Sequence, residues 1–230
     1  MAKRPVFIPE TVGNQMVQKI SIEFQWFPGM SKSQKQKSIR SLHASARKQL
    51  AIERILEISS KSEDRLGVEL SAFNLNFKTP YNEPAPVEVL FQGGKVFERG
   101  GPFTDLYYLT SREAKKDDRL RISGNIEGFR YGSSDWPINP QTLFYDWLYI
   151  SALHQNQNVH LANLLMEYDA FTDIEFNPEK SLNCQAYSAA LFKALAARGL
   201  VAEALSSRED FIRICYQNNL SNSPVQRKMF

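Results

Sequence analysis

A glutamate, a glutamine and a lysine interrupt an otherwise apolar stretch near the middle of the chain, VEVLFQGGKVF over residues 87–97. If this stretch is helical, Glu88, Gln92 and Lys95 stand at i, i+4 and i+7 and share one face. A carboxylate and an ammonium beside glycines, which let a ligand come close, suit acid–base chemistry. The alternative is an exposed ion pair without a catalytic role.

A second acidic cluster lies in FTDIEFNPEKSLNCQ, residues 171–185. Asp173 and Glu175 alternate with apolar residues, so a strand here would place both acids on one face. Two neighbouring carboxylates repel each other, which is costly unless solvent or a ligand compensates the charge. The pair therefore indicates a functional position, with a solvent-exposed sheet edge as the alternative.

Two other segments carry side chains suited to phosphates and bases. Lys61 stands among serines in EISSKSEDRLG, residues 57–67, which offers donors for phosphate oxygens unless the segment is a plain surface loop. Trp136 lies in SSDWP, residues 133–137, so we expect it in a loop where its ring can stack on a base. Trp147 falls on the apolar face of a predicted helix, where core packing explains it.

The positive charge of the chain is unevenly distributed. The net charge is only +3, but the segment between Glu23 and Glu53 contains no acidic residue. A block of one sign attracts phosphate and repels like-charged partners, although a solvated helix face is the alternative. The cations of this block are Lys32, Lys35, Lys37, Arg40, Arg47 and Lys48.

Composition excludes several classes of protein. The 230 residues fit one domain. No apolar run of about 18 residues predicts a membrane span, and no apolar segment near the N-terminus predicts a signal peptide. Cys184 and Cys215 could form one disulfide at most, but we expect two reduced thiols in a cytoplasmic protein. Three histidines without CxxC or HExxH spacing give no support for a metal site, and no Walker or GxGxxG loop is present. We therefore expect neither a metal nor a cofactor.

Hydrophobic periodicity predicts an α+β fold in which several helices pack around a small sheet. Strands are predicted at 17–26, 53–60, 67–77 and 125–131. Helices are predicted from Ser31 or Ser33 to Leu50, from the Thr110 capping box to about Leu120, and over 138–155, 160–168 and 183–199, the last ending at Gly199. The tail 221–230 is polar and expected to fray.

Several of these segments together resemble a known family. LSAF (70–73), VEVLFQGGKVF, AKKDDR (114–119) and the tryptophan-containing segment are similar to the NADAR family, which includes YbiA-like N-glycosidases. A closer resemblance, from about Arg4 to Gly199, is to the NADAR antitoxins paired with DarT toxins. It is carried by PGMSKSQKQKSI, EISSKS, GGPFTDLY, FYDWLYI and FTDIEFNPEKSLNCQA.

The resemblance implies a domain organisation and an activity. The NADAR core would occupy 58–199, preceded by a strand and basic helix (1–57) that are integral to the domain, and followed by a C-terminal helix and polar tail (200–230). DarT-type toxins attach ADP-ribose from NAD to guanine bases in DNA, and the NADAR partner hydrolyses that bond. The implied substrate is ADP-ribosylated DNA, expected to be single-stranded at the modified guanine, and the functional partner is a DarT-type toxin.

The same resemblance suggests roles for individual residues. Glu88 matches the acid of the family's E-x-x-x-Q motif and is the first candidate for general acid/base, while Lys95 would orient Glu88 or hold substrate. Glu175 matches a late acidic residue loosely, because Lys180 and Asn183-Cys184 replace the Asp and Trp-Gly pair of the YbiA-like pattern. The residues expected to bind substrate are Lys61, Ser62, Phe73, Asp105, Arg119, Trp136 and Asn183.

Two chemical routes and two other functions stay open at this point. Water could attack the oxocarbenium-like centre, or a lysine could attack the ring-opened sugar to form a Schiff base, for which Lys35 and Lys37 in the basic block are the candidates. The alternative functions are N-glycosidase action on a small phosphorylated metabolite and non-catalytic binding of ADP-ribosylated nucleic acid or of the toxin. The basic helix favours a nucleic-acid substrate.

Overall fold

The computed structural model describes residues 1–78, 83–179 and 181–220. The strands are β1 Ala2–Pro9, β2 Val17–Phe24, β3 Ile55–Glu57, β4 Asn76–Phe77, β5 Ala85–Pro86, β6 Lys95–Phe97, β7 Ile126–Tyr131, β8 Ser134–Pro137 and β9 Ala170–Thr172. The α-helices are α1 Lys32–Leu50, α2 Arg65–Glu69, α3 Val87–Gly93, α4 Ser111–Lys116, α5 Arg119–Ile122, α6 Leu143–His154, α7 Val159–Leu165, α8 Gln185–Ala197, α9 Val201–Ala204 and α10 Arg208–Leu220. The predicted frayed tail 221–230 and Lys180 lie outside the described residues.

The main sheet has four strands in the order β2-β1-β9-β3. β3 and β9 run parallel, whereas β1 pairs antiparallel with both β2 and β9. A second sheet, β6-β7-β8, is antiparallel, and β4 pairs with β5. The N-terminal hairpin therefore shares a sheet with β9 from the second half of the chain. This mixture of helices and small sheets confirms the predicted α+β class.

Alternate residues of each strand point to opposite layers of the main sheet, and both layers contain buried residues, although Lys19, Ser21 and Glu23 of the edge strand β2 are exposed. On one face α1 packs through Ile39, Leu42 and Ala46. The other face packs against the helical second half of the chain, in which α8 contacts both β1 and β9. Val6, Ile55 and Ala170 belong to the α1 side, and Phe7, Leu56 and Phe171 belong to the helical side.

The basic helix α1 forms where the sequence predicts it. The Ser31 side chain accepts a hydrogen bond from the backbone N–H of Gln34 (3.3 Å), so Ser31 rather than Ser33 is the N-cap. The helix ends at Ala51, which takes a left-handed conformation and returns its N–H to the carbonyl of Arg47. Its apolar stripe covers the sheet and leaves most of its cations at the surface.

The helical half is organised around α6, whose residues are buried on almost every side. Asp146 on this helix is fully buried and accepts hydrogen bonds from the hydroxyls of Ser188 and Tyr216, which ties α6 to α8 and α10. Burial raises the pKa of Asp146 to about 6, against the effect of these donors. The predicted helices over 138–155 and 183–199 correspond to α6 and α8.

The predicted strand over 67–77 is wrong for its first half, where α2 and a turn precede the short strand β4. Asp64 caps α2 by accepting from the N–H of Leu66 (2.9 Å), which starts a helix instead of an extended segment. Gly67 is required there, since a Cβ atom would lie 1.9 Å from the carbonyl oxygen of Glu57. The residues predicted to point inward, Leu70, Ala72, Leu75 and Phe77, are nevertheless buried.

Candidate functional site

A concave cavity of about 360 Å³ opens where α3, α4 and the segments following β3 and β9 converge. A volume of this order suits a small ligand or part of a larger one. Its lining is mixed, with aromatic rings beside hydroxyl, amide, carboxyl and ammonium groups. The lining residues are Ser59, Ser60, Ser71, Phe73, Glu88, Phe91, Gln92, Lys115, Tyr145, Asp173, Glu175, Phe176, Ser181, Leu182, Asn183 and Gln185.

One wall of the cavity is a hydrogen-bonded row built on α3. Glu88 is buried, and its Oε1 accepts from the amide of Gln92 (2.9 Å) and lies 3.4 Å from the ammonium of Lys115. Lys95 donates to the Gln92 carbonyl oxygen (2.6 Å). Because an ammonium can only donate, this contact turns the Gln92 NH2 group toward Glu88. The wall therefore presents a carboxylate held by an amide and a cation.

Lys95 completes this row from a different element than predicted. Helix α3 ends at Gly93, so Lys95 begins strand β6, yet its side chain still reaches Gln92. Its ammonium lies 4.9 Å from the centre of the Phe91 ring. Burial lowers the pKa of Lys95 to about 8, with Glu88 acting in the opposite direction and Lys115 adding to the lowering. Lys95 stands behind Gln92 and does not itself line the cavity.

The facing wall is formed by the segment after β9. The alternation predicted for Asp173 and Glu175 is wrong, because β9 ends at Thr172 and the next residues form a turn. In this turn Asp173 Oδ1 accepts from the backbone N–H groups of Glu175 (3.0 Å) and Phe176 (3.2 Å). Both acids still line the cavity.

A second buried carboxyl group, Glu57, lies beneath that turn. Its Oε1 accepts from the hydroxyl of Ser59 (2.7 Å) and the N–H of Ile174 (2.8 Å), and its Oε2 accepts from the hydroxyl of Thr172 (2.7 Å). Burial raises the pKa of Glu57 and that of Asp173, and the charge of Glu57 raises the pKa of Asp173 further. Two buried carboxyl groups thus sit together on this side.

Helix α1 reaches the edge of the cavity. The Lys35 ammonium forms an ion pair with Glu175 (3.0 Å) and lies 5.1 Å from the centre of the Trp26 ring, which the Arg4 guanidinium also approaches (5.4 Å). The contacts of Lys35 are therefore an acid and an aromatic ring. Lys37 is exposed on another side of the helix and does not line the cavity.

Two of the residues predicted to bind substrate line the cavity. Phe73 lies beneath the Lys115 ammonium, which is 5.1 Å from the ring centre. Asn183 has a buried Oδ1 atom without a hydrogen-bond partner, so it offers an acceptor to a ligand. Lys61 and Ser62 lie just beyond the lining serines, and Ser62 faces a smaller cavity of about 260 Å³ beside α1.

Three other predicted residues lie away from the cavity. Asp105 and Arg119 form an exposed ion pair (2.6 Å) and do not line it. The loop predicted for Trp136 is wrong: this residue lies in β8, opposite Phe129 of β7, and only 5% of its surface is exposed. Its ring packs 4.6 Å from that of Trp147, because strand pairing turns it into the helical core.

Lys115 and Gln185 are among the cavity residues that escaped the prediction. Lys115 belongs to the AKKDDR segment, but no local pattern distinguishes it from the neighbouring cations. Gln185 begins α8, and its Oε1 accepts from the N–H of Ala72 (2.8 Å), so it joins two sides of the cavity. Both contacts link segments distant in sequence, which periodicity does not detect.

Two global properties accompany this geometry. Within the described ranges, no helix has the length and apolarity needed to cross a membrane, and no group of three or more His, Cys, Asp or Glu residues could hold a metal ion. The family model described as DarT1-associated NADAR antitoxin matches residues 2–225 of the chain. No curated protein matches the chain.

Proposed function

Because the chain belongs to the family of DarT1-associated NADAR antitoxins, we propose that it is a hydrolase that removes ADP-ribose from guanine bases in DNA. The observation that carries this proposal is the buried Glu88 carboxylate, held toward a polar cavity by Gln92 and Lys115. By this activity the protein would reverse the modification made by a DarT-type toxin.

The bond to be broken joins an anomeric carbon to the exocyclic amine of guanine. Its cleavage passes through a cation that resembles an oxocarbenium ion, which a fixed carboxylate stabilises while it takes a proton from the attacking water. Glu88 suits this role because the Gln92 amide fixes its orientation and the Lys115 ammonium lies 3.4 Å from its Oε1.

The remaining lining supplies groups for the parts of ADP-ribose. Phe73 and Phe176 offer flat apolar surfaces for stacking, and the Ser59 and Ser60 hydroxyls suit phosphate or ribose oxygens. Since the cavity is recessed, the modified guanine must leave a duplex or lie in a single strand to reach Glu88. This requirement favours single-stranded DNA as the substrate.

A covalent route through a lysine is the second chemical possibility. Lys35 contacts Glu175 at the cavity edge, and Lys95 has a lowered pKa of about 8, which increases the fraction of neutral, nucleophilic amine. Reduction with borohydride during turnover would trap a Schiff base on either lysine. Absence of a trapped adduct in wild-type protein would leave attack by water as the route.

The test is release of ADP-ribose from a single-stranded oligonucleotide that carries one ADP-ribosylated guanine. We expect the wild-type protein and the control Glu127→Gln, a change of an exposed glutamate, to release it. Glu88→Gln should lose about 10²–10⁴-fold in rate. If the wild-type protein and both variants bind the oligonucleotide but none releases ADP-ribose, the protein only binds the modified base and the proposal is overturned.

A further inference from the structure

Departure of guanine from the sugar requires a proton on its exocyclic nitrogen. Glu88 is arranged as an acceptor, because its contacts on this wall are two donors, the Gln92 amide and the Lys115 ammonium. We propose that Asp173, on the opposite wall of the cavity, is the general acid that protonates the leaving amine. This inference rests on the proposed function.

Burial and the neighbouring Glu57 raise the pKa of Asp173, and they outweigh its hydrogen bonds, which favour the ionised form. Its Oδ1 accepts from two backbone N–H groups, so this atom takes the place of the carbonyl oxygen and Oδ2 is left to carry the proton. The Gln185 side chain also hydrogen-bonds Asp173, and its carbonyl oxygen is already used by Ala72, so its NH2 group faces the acid. Asp173 lines the cavity and is only 7% exposed.

Burial is the larger reason that Asp173 holds a proton, and the neighbouring Glu57 is the second. Burial raises the pKa of Glu57 as well, whereas the three hydrogen bonds that it accepts from Ser59, Thr172 and Ile174 act in the opposite direction and favour its ionised form. A second negative charge next to it in a buried setting is unfavourable, which is consistent with the raised pKa of Asp173.

The other titratable groups around Asp173 do not offset this effect. The phenols of Tyr145 and Tyr149 on α6 and the thiol of Cys184 have pKa values raised by burial, so they are neutral. Glu175 is paired with Lys35. In the described part of the chain, no lysine or arginine forms an ion pair with Asp173.

One group beyond Glu57 completes this environment. His43 of α1 hydrogen-bonds the hydroxyl of Thr172 (2.8 Å), and burial lowers its pKa to about 4, so it adds no positive charge near neutral pH. The basic helix therefore reaches Glu57 through a neutral side chain. A neutral His43 therefore does not offset the repulsion between Glu57 and Asp173.

The step balances as an ordinary hydrolysis. As the bond between the anomeric carbon and the exocyclic nitrogen breaks, its electron pair stays on nitrogen and takes the Asp173 proton. The oxygen of water bonds to the anomeric carbon, and Glu88 accepts the proton that this water loses. The products are guanine in DNA and free ADP-ribose, and proton exchange with solvent restores both carboxyl groups.

The test separates leaving groups that need a proton from those that do not. Asp173→Asn reproduces the hydrogen bonds of the neutral acid but cannot release a proton. We expect kcat of this variant to fall about 10²–10⁴-fold on the ADP-ribosyl-guanine oligonucleotide. On 4-nitrophenyl ADP-ribose, whose leaving group departs without a proton, kcat should fall less than about tenfold. Glu88→Gln should lower both rates. Unchanged thermal unfolding and ADP-ribose binding would show that the Asn variant is folded.

The pH dependence of the rate gives a second test, because a purely structural role of Asp173 would not change it. The wild-type rate on the oligonucleotide should fall as pH rises through the pKa of Asp173, since only the protonated acid acts. Glu57→Gln removes the neighbouring charge and should move this fall to lower pH, and Asp173→Asn should abolish it.

The outcomes distinguish the two proposals. If wild-type protein leaves the oligonucleotide intact, the proposed function fails. If wild-type protein cleaves it and Asp173→Asn cleaves as fast, or if Asp173→Asn slows both substrates equally, only the general-acid role of Asp173 is overturned. An alkaline fall that stays at the same pH in Glu57→Gln also contradicts that role.

Discussion

The two walls of the cavity bury carboxyl groups in opposite surroundings. On α3, Glu88 meets an amide and the ammonium of Lys115. On the other side, Asp173 meets a second carboxyl group, Glu57, and backbone N–H groups. Both side chains are buried, but their partners differ: Glu88 meets donors, whereas Asp173 lies next to a second acid. A cavity with one carboxylate and one carboxylic acid is a general arrangement for cleaving a glycosidic bond.

The largest effect is expected on stability, from the wall that holds Glu57. Glu57→Ala leaves the hydroxyls of Ser59 and Thr172 and the N–H of Ile174 without their acceptor. Buried donors without partners should reduce the free energy of unfolding by about 3 kcal/mol, measured by urea denaturation.

Glu88→Ala is the matched control on the other wall. Its carboxylate faces an open cavity and contacts only side chains, so we expect a change in the free energy of unfolding within about 1 kcal/mol. An equal decrease in the free energy of unfolding of Glu57→Ala and Glu88→Ala would show that the two walls do not differ in their contribution to the fold.

The next effect concerns pH and the same Glu57 wall. The pKa of His43 is lowered to about 4 by burial, so between its ordinary pKa of 6.5 and that value the unfolded chain binds more protons than the folded one. The contribution of His43 to the free energy of unfolding therefore falls by about 2 kcal/mol from pH 7 to pH 5. Glu57 and Asp173, whose pKa values are raised, act with the opposite sign in this window.

Comparison with His43→Gln isolates the histidine contribution. Gln cannot be protonated, so urea denaturation at pH 7 and pH 5 should show a smaller loss in the variant by about 2 kcal/mol. If both proteins lose the same stability, His43 is not the buried neutral group described here.

Sequence patterns predicted the local parts of the fold and the contact between Glu88 and Gln92 on α3. Helix α1 was predictable because its cap and its apolar stripe lie within one segment. The Glu88–Gln92 contact was predictable because one helical turn sets it. In both cases neighbouring residues alone determine the geometry.

The rest depends on contacts between distant segments. No period relates Glu57 to Asp173; they meet because β3 and β9 are parallel neighbours in the sheet. Trp136 has the flanks of a loop residue, but pairing of β7 with β8 buries it. The polar turn at Asp173 replaces the predicted strand because Oδ1 captures two backbone N–H groups.

A smaller effect, this time on activity, is expected at Lys115 on the α3 side of the cavity. Lys115 lies 3.4 Å from Glu88 but its side chain is 57% exposed, so its influence is screened by solvent. Lys115→Met should lower kcat on the ADP-ribosylated oligonucleotide about tenfold, which is a modest electrostatic loss. The control is Lys116→Met, an exposed neighbour on α4. An equal loss in the control would remove Lys115 from the account.

The smallest effect is expected at the cavity edge. Lys32 lies one turn before Lys35 on α1, whereas Lys48 lies about 24 Å further along the helix. Lys32→Ala should weaken binding of the oligonucleotide about threefold and reduce the slope of log affinity against log salt by about 1. Lys48→Ala should change neither quantity in a fluorescence-anisotropy titration. The same change in both variants would place the DNA elsewhere.

Trp26 gives the molecule an optical property of its own. Its indole lies between the charges of Arg4 and Lys35, at the edge of the cavity, whereas Trp136 and Trp147 pack against each other in the helical half. A ligand that draws Lys35 away changes the electric field at this one ring and shifts the colour of its emission. The other two indoles contribute a constant background. If the proposed ligand displaces Lys35, we therefore expect the emission of Trp26 to report its binding without a label.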